Sequence, residues 1–175
     1  MRRTPAAVIL AAALAACASM PPKTDILARN TSFKARVVAV AALTGGGRED
    51  ALAARALVDA ARRAGLTATS LDESDAGLAG TPISLDALSD PRVLAQVRAA
   101  TGADAVVLLT YEPGGASARI DALDAASGDS VLRATLTPRS GVFSDAPDAA
   151  RSAFAALATL AGRPPTARLD DIPEP

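Results

Sequence analysis

The chain has 175 residues, a formal net charge of −1, a single cysteine, and neither histidine nor tryptophan. A nearly neutral chain gives no basis for nucleic-acid binding, and 2% aromatic residues leave no stacking platforms for single strands or sugars. One cysteine excludes an internal disulfide, and the absence of histidine removes the usual zinc ligand sets. We therefore expect no metal site and no cofactor.

The first residues have the form of a secretory signal. Arg2 and Arg3 give a positive start, and the uncharged run AAVILAAALAA follows at 6–16. This run is shorter than the about 20 apolar residues that cross a bilayer, and it has the length of a signal-peptide h-region. We expect residues 1–16 to be a signal peptide that is removed.

The signal ends in Leu14-Ala15-Ala16-Cys17, which resembles the bacterial lipobox. In that family the cysteine thiol receives a diacylglycerol, the peptide is cut before it, and the new amino terminus is acylated. The resemblance implies peptidase recognition through residues 14–16 and lipidation of Cys17. An ordinary signal peptide cut elsewhere, or a buried cysteine, is the alternative. Several acyl chains on one residue would anchor the protein stably.

The residue after the cysteine bears on the membrane to which the protein is sorted. Enterobacterial lipoproteins with aspartate there tend to stay in the inner membrane, whereas this chain has Ala18. The resemblance therefore implies the periplasmic face of the outer membrane. Residues 17–35 contain Pro21-Pro22 and show no clear period, so we expect a lipid-anchored linker. Its roughly 18 flexible residues would span about 23 Å root-mean-square.

The first half of the domain has a strand, a helix and a second strand. RVVAVAAL at 36–43 is typical of a fully buried strand. A helix follows from about residue 49 to Ala64, where Gly65 is a natural stop. The weakly alternating LTATSLD at 66–72 predicts the second strand.

The second half predicts a helix, three strands and a helix. The first helix begins at Ser89-Asp90-Pro91 and ends at Gly102, and the apolar strand ADAVVLLTY follows at 103–111. Residues 116–137 predict a hairpin with apolar residues on one face and Arg119, Asp121 and Arg133 on the other. Such one-sided alternation is typical of a sheet covered by helices on a single face. The last helix begins near Asp145 and carries Phe154 as a large core residue.

The predicted order is β-α-β-α-β-β-β-α. This order predicts a single α/β domain over residues 36–162, with a mixed β-sheet packed by about three helices. The proline-rich residues 163–175 predict a disordered tail.

The glycine-rich loop TGGGRED at 44–50 is the first candidate for a chemical site. It lacks the lysine and hydroxyl of a P-loop and does not match the dinucleotide pattern G-x-G-x-x-G. Glu49 and Asp50 suit the start of a helix but would repel an anion. A flexible connection is favoured, and a ligand or partner loop is the alternative.

Other candidate catalytic groups do not form a site. Asp72, Glu73 and Asp75 lack the EF-hand pattern and favour a solvated acidic loop over a calcium site. Asp121 and Asp124 would point to opposite faces of a strand. A serine nucleophile would need a base, and the only lysines, Lys23 and Lys34, fall in the expected linker. We expect that the protein is not an enzyme.

Three motifs resemble a group of periplasmic lipoprotein domains: the curli-secretion channel lipoproteins, the lipoprotein activators of penicillin-binding proteins, and the N-terminal domain of the Tol-system propeller protein. RVVAVAAL resembles their opening strand. The other matching positions are Gly102, Asp104, Val106 and Val107, and, in the hairpin, Asp124, Ser127, Gly128 and Val131. The resemblance covers roughly residues 36–161.

The resemblance implies a domain that works by contact with partners, so no catalytic residue is carried over. Where the family often has glycine after the Val-Val pair, this chain has Leu108-Leu109-Thr110, and it lacks the long hairpins of the channel-forming members. We expect a non-catalytic interaction or assembly module of the cell envelope, with an envelope protein as its partner. A small-ligand or lipid-handling lipoprotein is the alternative, and it would need an apolar cavity between sheet and helices.

Overall fold

The computed structural model describes residues 22–71, 83–138 and 141–164. The predicted signal peptide, the lipobox with Cys17, the acidic residues Asp72, Glu73 and Asp75, and residues 165–175 of the predicted tail lie outside the described residues.

Six strands form one sheet, and five helical segments accompany them in the described ranges. The strands are β1 (Lys23–Arg29), β2 (Val37–Leu43), β3 (Thr67–Ser70), β4 (Ala105–Tyr111), β5 (Ala118–Asp124) and β6 (Ser130–Thr137). The helices are α1 (Arg48–Arg63), α2 (Leu85–Leu88), α3 (Pro91–Thr101), α4 (Ala146–Arg151) and α5 (Phe154–Leu160).

The sheet is mixed, as the sequence predicts. Its strand order is β1-β6-β5-β4-β2-β3. Strand β2 pairs in parallel with β3 and β4, whereas β4, β5, β6 and β1 pair antiparallel in turn. The predicted α/β fold class with a mixed sheet is thus confirmed. The short helix α2 is additional to the three expected helices, and the last of these is divided into α4 and α5.

Strand β1 lies inside the segment that the sequence predicts to be a linker. It pairs with β6 from Lys23 opposite Thr137 to Arg29 opposite Leu132, with a bulge between Ile26 and Ala28. Only Ile26 packs as a large apolar side chain against the core, so KTDILAR has almost no hydrophobic alternation to detect. Pairing with the β6 backbone, which is non-local in sequence, specifies this edge strand.

One face of the sheet is covered along its whole width. Helices α1, α4 and α5 pack there on side chains from β2, β4, β5 and β6. The helix residues buried in this layer are mostly alanines: Ala53, Ala54, Ala60, Ala61, Ala146, Ala149, Ala150, Ala153, Ala156 and Ala158. Such small side chains allow helices to approach the sheet closely and leave little space between the layers.

The opposite face is covered only in part. A second apolar cluster joins Leu88 of α2 and Leu94 and Val97 of α3 to Val106 and Leu108 of β4. Over β2 and β4, successive residues are buried on alternate faces, so the single-sided cover expected from the hairpin pattern does not extend to these two strands. Fully buried apolar strands of this kind require cover on both sides.

Helix boundaries follow the predicted capping signals. The Asp90 side chain accepts a hydrogen bond from the Arg92 N–H, and Gly102 ends α3 in the left-handed conformation at φ 68°. Asp145 caps α4 through the Asp148 N–H, but the expected single helix is interrupted at Ser152 and Ala153.

The large aromatic side chain of the core differs from the one expected. Phe154 is only partly buried, whereas Phe143 is 3% exposed. Phe143 packs edge-on against Tyr111 with ring centroids 6.1 Å apart. Phe143 has no helical or strand periodicity around it, so its position in the core follows from the loop that carries it from β6 to α4.

Asp104 joins the starts of β2 and β4. One carboxylate oxygen accepts hydrogen bonds from the backbone N–H groups of Arg36 at 2.8 Å and Val37 at 3.0 Å. The Asp104 N–H also donates to the Val37 carbonyl. A single side chain thus holds the two central parallel strands in register across 67 residues of sequence.

We predict that Asp104→Ala lowers the free energy of unfolding by about 1–2 kcal/mol, because two strand N–H groups lose a charged acceptor. Asp104→Asn keeps one acceptor oxygen and should lose less. Asp59→Ala, on the exposed side of α1, is the matched control and should stay within about 0.5 kcal/mol of the wild type. Urea unfolding followed by circular dichroism measures all three, and equal losses for Asp104→Ala and Asp59→Ala would contradict this role.

Candidate interaction surface

The partly covered side of the sheet carries a polar surface on β1, β6 and β5. We call it the polar face, and it is formed by Lys23, Asp25, Ala28, Arg119, Asp121, Arg133 and Thr135. The strand pairing brings these residues together. Thr135 of β6 lies between Asp25 of β1 and Arg119 of β5. Arg133 of β6 lies in the same way between Ala28 of β1 and Asp121 of β5. Apart from Asp121, all of them are half-buried or exposed.

Asp121 is a buried carboxylate at the centre of the polar face. Its side chain is 2% exposed, and its two oxygens accept from different guanidinium groups. Arg119 Nε donates to one oxygen at 2.5 Å, and Arg133 Nε donates to the other at 2.8 Å. Burying an isolated carboxylate would cost desolvation free energy, and the hydrogen bonds from the two arginines offset that cost.

The two arginines also face outward. Their side chains are 47% and 46% exposed, and each pairs with Asp121 through Nε. One carboxylate therefore holds two guanidinium groups in fixed positions and leaves the cluster with a net charge of about +1. Terminal guanidinium nitrogens arranged in this way suit a carboxylate or a phosphate of a partner, because a guanidinium pairs with such groups in a planar geometry.

The neighbouring charges on β1 are already paired. Lys23 Nζ lies 2.9 Å from an Asp25 carboxylate oxygen, with both side chains well exposed. An exposed pair of this kind contributes little to stability. It does keep the β1 side of the polar face neutral, so the positive charge of this surface is concentrated at Arg119 and Arg133.

The glycine loop forms a second feature at the ends of β2 and β3. Gly45, Gly46 and Gly47 all have positive φ, at 111°, 110° and 70°, which other residues adopt only with strain. The Asp50 carboxylate accepts from both the N–H and the hydroxyl of Thr44 at 2.6 Å, so it closes the loop on itself. These bonds join the start of the loop to the first turn of α1.

A cleft of about 400 Å³ lies beside this loop. It is lined by Ala41, Ala42, Leu43, Gly46, Gly47, Asp50, Ala51, Ala54, Leu71 and Ile83. Among the described residues, its only charged lining residue is Asp50, whose carboxylate is engaged with Thr44. The described lining therefore offers no cationic side chain to an anionic ligand.

The other predicted candidates separate in the structure. Asp124 does not meet Asp121 as an acid/base pair, since it accepts from the Ala126 N–H in the hairpin turn. Lys23 lies on β1, and Lys34 packs its aliphatic chain near Gly162. The cluster around Asp121 was missed as a site because Asp121 and Arg133 are 12 residues apart in sequence. The usable signal was that all three charged residues share one predicted hairpin face.

The described ranges contain neither a metal site nor a membrane-spanning helix. No group of three or more acidic or cysteine side chains there could hold a metal ion. No helix within the same residues has the length and apolar character needed to cross a membrane.

Comparisons with known proteins give a weak structural likeness. No family model matches the chain, and no curated protein matches it. Among solved structures, the PelC dodecamer from Paraburkholderia phytofirmans is 16% identical, with a TM-score of 0.46 over 84% of this chain and 99% of that chain. A variant PelC dodecamer from the same organism is 17% identical, with a TM-score of 0.46 over 76% and 96% of the two chains. At this sequence identity and TM-score, the likeness indicates nothing about the function of this chain.

We predict that Arg119 and Arg133 are coupled through Asp121. Each single change to alanine should lower the free energy of unfolding by about 1 kcal/mol, because the remaining arginine still compensates the buried carboxylate. The double variant should lose more than the sum, by on the order of 1–2 kcal/mol, because Asp121 is then buried alone.

Arg55→Ala and Arg92→Ala, two exposed changes on different helices, give the control pair. Their effects should add within about 0.5 kcal/mol. Urea unfolding of both cycles measures the coupling, and strict additivity for Arg119 and Arg133 would show that they do not share Asp121.

Proposed function

We propose that the protein is a lipoprotein anchored to the periplasmic face of the outer membrane through Cys17, and that it acts without catalysis, as an interaction or assembly module of the cell envelope. The observation that carries the interaction role is the polar face. A buried carboxylate there fixes two half-exposed arginines on a sheet surface that the described helices leave open.

The partner's chemistry follows from the charge of this surface. Arg119 and Arg133 present guanidinium groups whose Nε atoms are engaged with Asp121. An envelope protein with an acidic side chain could pair with the outward nitrogens, and such pairing would fix its orientation on the sheet. The flanking residues Ala28 and Thr135 are small, so a partner's backbone or side chains could approach closely.

The alternative is a lipoprotein that handles a small ligand or a lipid. One observation favours it: a cleft of about 430 Å³ lies where β1 begins and α4 packs. Its lining combines apolar Pro22, Pro138, Val142 and Phe143 with polar Ser144, Asp148, Arg151 and Ser152. This mixed lining suits an acyl chain less well than an apolar cavity, and the alanine-rich layer between sheet and helices is closely packed.

Lipidation is the first prediction to test. Cells fed a labelled fatty acid should label the wild type and should not label Cys17→Ala, because the thiol and the processed amino terminus are the acceptors. The second readout is the intact mass of the membrane-extracted protein. Equal labelling of the two proteins would exclude the lipobox interpretation, whatever the role of the polar face.

Partner binding gives a separate prediction. A photo-crosslinking amino acid at Ala28, which is exposed beside Arg133 on the polar face, should yield one reproducible adduct with an envelope protein. The same probe at Arg55, on the exposed side of α1, is the positional control and should not yield it. Arg133→Gln should weaken the adduct, because the partner's acidic group loses a guanidinium.

An adduct of equal strength from positions 28 and 55 would contradict the assignment of the polar face. A co-purified lipid, with no adduct from position 28, would favour the ligand-handling alternative.

A further inference from the structure

The strand pairing defines two ends of the sheet. The first residue of β1, Lys23, lies opposite Thr137 at the end of β6. Following the register across the sheet, the ends of β4 and β2 lie at this same end, since Tyr111 pairs with Ala118 and Leu43 pairs with Thr110. The glycine loop at 44–47 and the segment from β6 to α4 therefore lie at the end where β1 begins.

Few residues separate this end from the predicted anchor. Only residues 18–22 lie between Cys17 and Lys23. Six residue steps reach at most about 20 Å when fully extended. As a flexible chain they would span about 13 Å root-mean-square. The tether is thus much shorter than the expected linker of about 23 Å, because β1 takes up residues 23–29.

We infer that this end of the sheet, which we call the anchor end, faces the lipid surface in which Cys17 is embedded. The inference rests on the proposed lipidation of Cys17. Two of the three exposed large apolar side chains of the described residues lie at the anchor end: Val142 at 52% exposed and Leu52, in the second turn of α1, at 43% exposed. The seven-residue strands β1, β2, β4 and β5, each about 23 Å long, then run away from the membrane.

Charge does not hold the anchor end at the membrane. Its described cations are Lys23, Arg48 and Arg151, and its described carboxylates are Asp25, Glu49, Asp50, Glu112, Asp145 and Asp148. With Arg119, which pairs with Thr110 close to this end, added to the count, four described cations stand against six described carboxylates. The described part of this end is therefore net negative, and an anionic lipid surface does not attract it. Charge therefore does not set the orientation. The short tether is the constraint that holds the anchor end at the membrane, and lengthening the tether should remove most of the preference.

The orientation also determines how the polar face stands relative to the membrane. Arg119, which pairs with Thr110, lies close to the anchor end, and Arg133 lies further along the same sheet face, so this face stands upright on the membrane. A partner that pairs with it would sit beside the protein, close to the same lipid surface.

Depth-sensitive fluorescence tests the orientation. The lipidated protein is purified from membranes and reconstituted into phosphatidylethanolamine and phosphatidylglycerol vesicles that contain a nitroxide-headgroup lipid. With Cys17 acylated, a single introduced cysteine takes the fluorophore: Val142→Cys at the anchor end, or Ala126→Cys in the exposed hairpin turn at the opposite end. We expect several-fold stronger quenching at position 142 than at position 126.

A third protein carries about 20 flexible residues inserted between Ser19 and Met20, which raises the root-mean-square reach of the tether to about 28 Å. Its label at position 142 should lose most of the extra quenching.

The possible results distinguish the orientation of the anchor end from the lipidation of Cys17. Equal quenching at the two positions, in protein whose intact mass shows acylated Cys17, would overturn the orientation and leave the lipid anchor standing. Unchanged quenching after the insertion would also overturn it, because the tether would not be its cause. An unmodified Cys17 in the intact mass would overturn the anchor and the orientation together.

Discussion

Alanine-rich packing between the helices and one sheet face is the constraint on which the rest of the structure depends. With three phenylalanines, one tyrosine and no tryptophan in the chain, large side chains cannot fill a wide layer. Ala53, Ala60, Ala149 and Ala153 are fully buried, so α1 and the C-terminal helical segments come close to the sheet. A layer packed in this way has little room for an internal ligand. Specific contacts of this domain must then be made at its surface.

The second sheet face decides where that surface lies. Over β2 and β4 it is apolar and covered by α2 and α3, while over β5, β6 and β1 it turns polar. The transition occurs between Leu108 and Asp121, which lie directly opposite each other on β4 and β5. Asp121 is buried beside the apolar cluster, yet it is satisfied by arginines from its own strand and the next. Asp121 thus lies at the boundary between the apolar cluster and the polar face.

The central elements were predictable because they carry strong local signals. Continuous apolar runs specify β2 and β4, and an aspartate cap with a following glycine stop marks both ends of α3. Strand β1 could not be predicted in this way, because its pairing with β6 supplies what its own sequence lacks. The break at Ser152 and Ala153 was hidden for a similar reason, since the apolar stripe continues through it.

From the sequence, the charged cluster around Asp121 was predictable only as charged residues that share one face of the hairpin. Arg119, Asp121 and Arg133 were expected to point away from the core, which is true of the two arginines. Burial of Asp121 depends on how far the neighbouring apolar cluster extends past β4, and no local pattern in the hairpin encodes that distance.

The edge strand links the fold to the proposed anchoring. If residues 23–29 were a free linker, the domain could tumble above the membrane and any face could meet a partner. Pairing of β1 with β6 removes those residues from the tether and ties its end to the sheet beside the polar face. Under the proposed anchoring, β1, with its one core-facing isoleucine, would determine how close the polar face lies to the membrane. A change that detached β1 would leave the central sheet paired but would free the domain to turn.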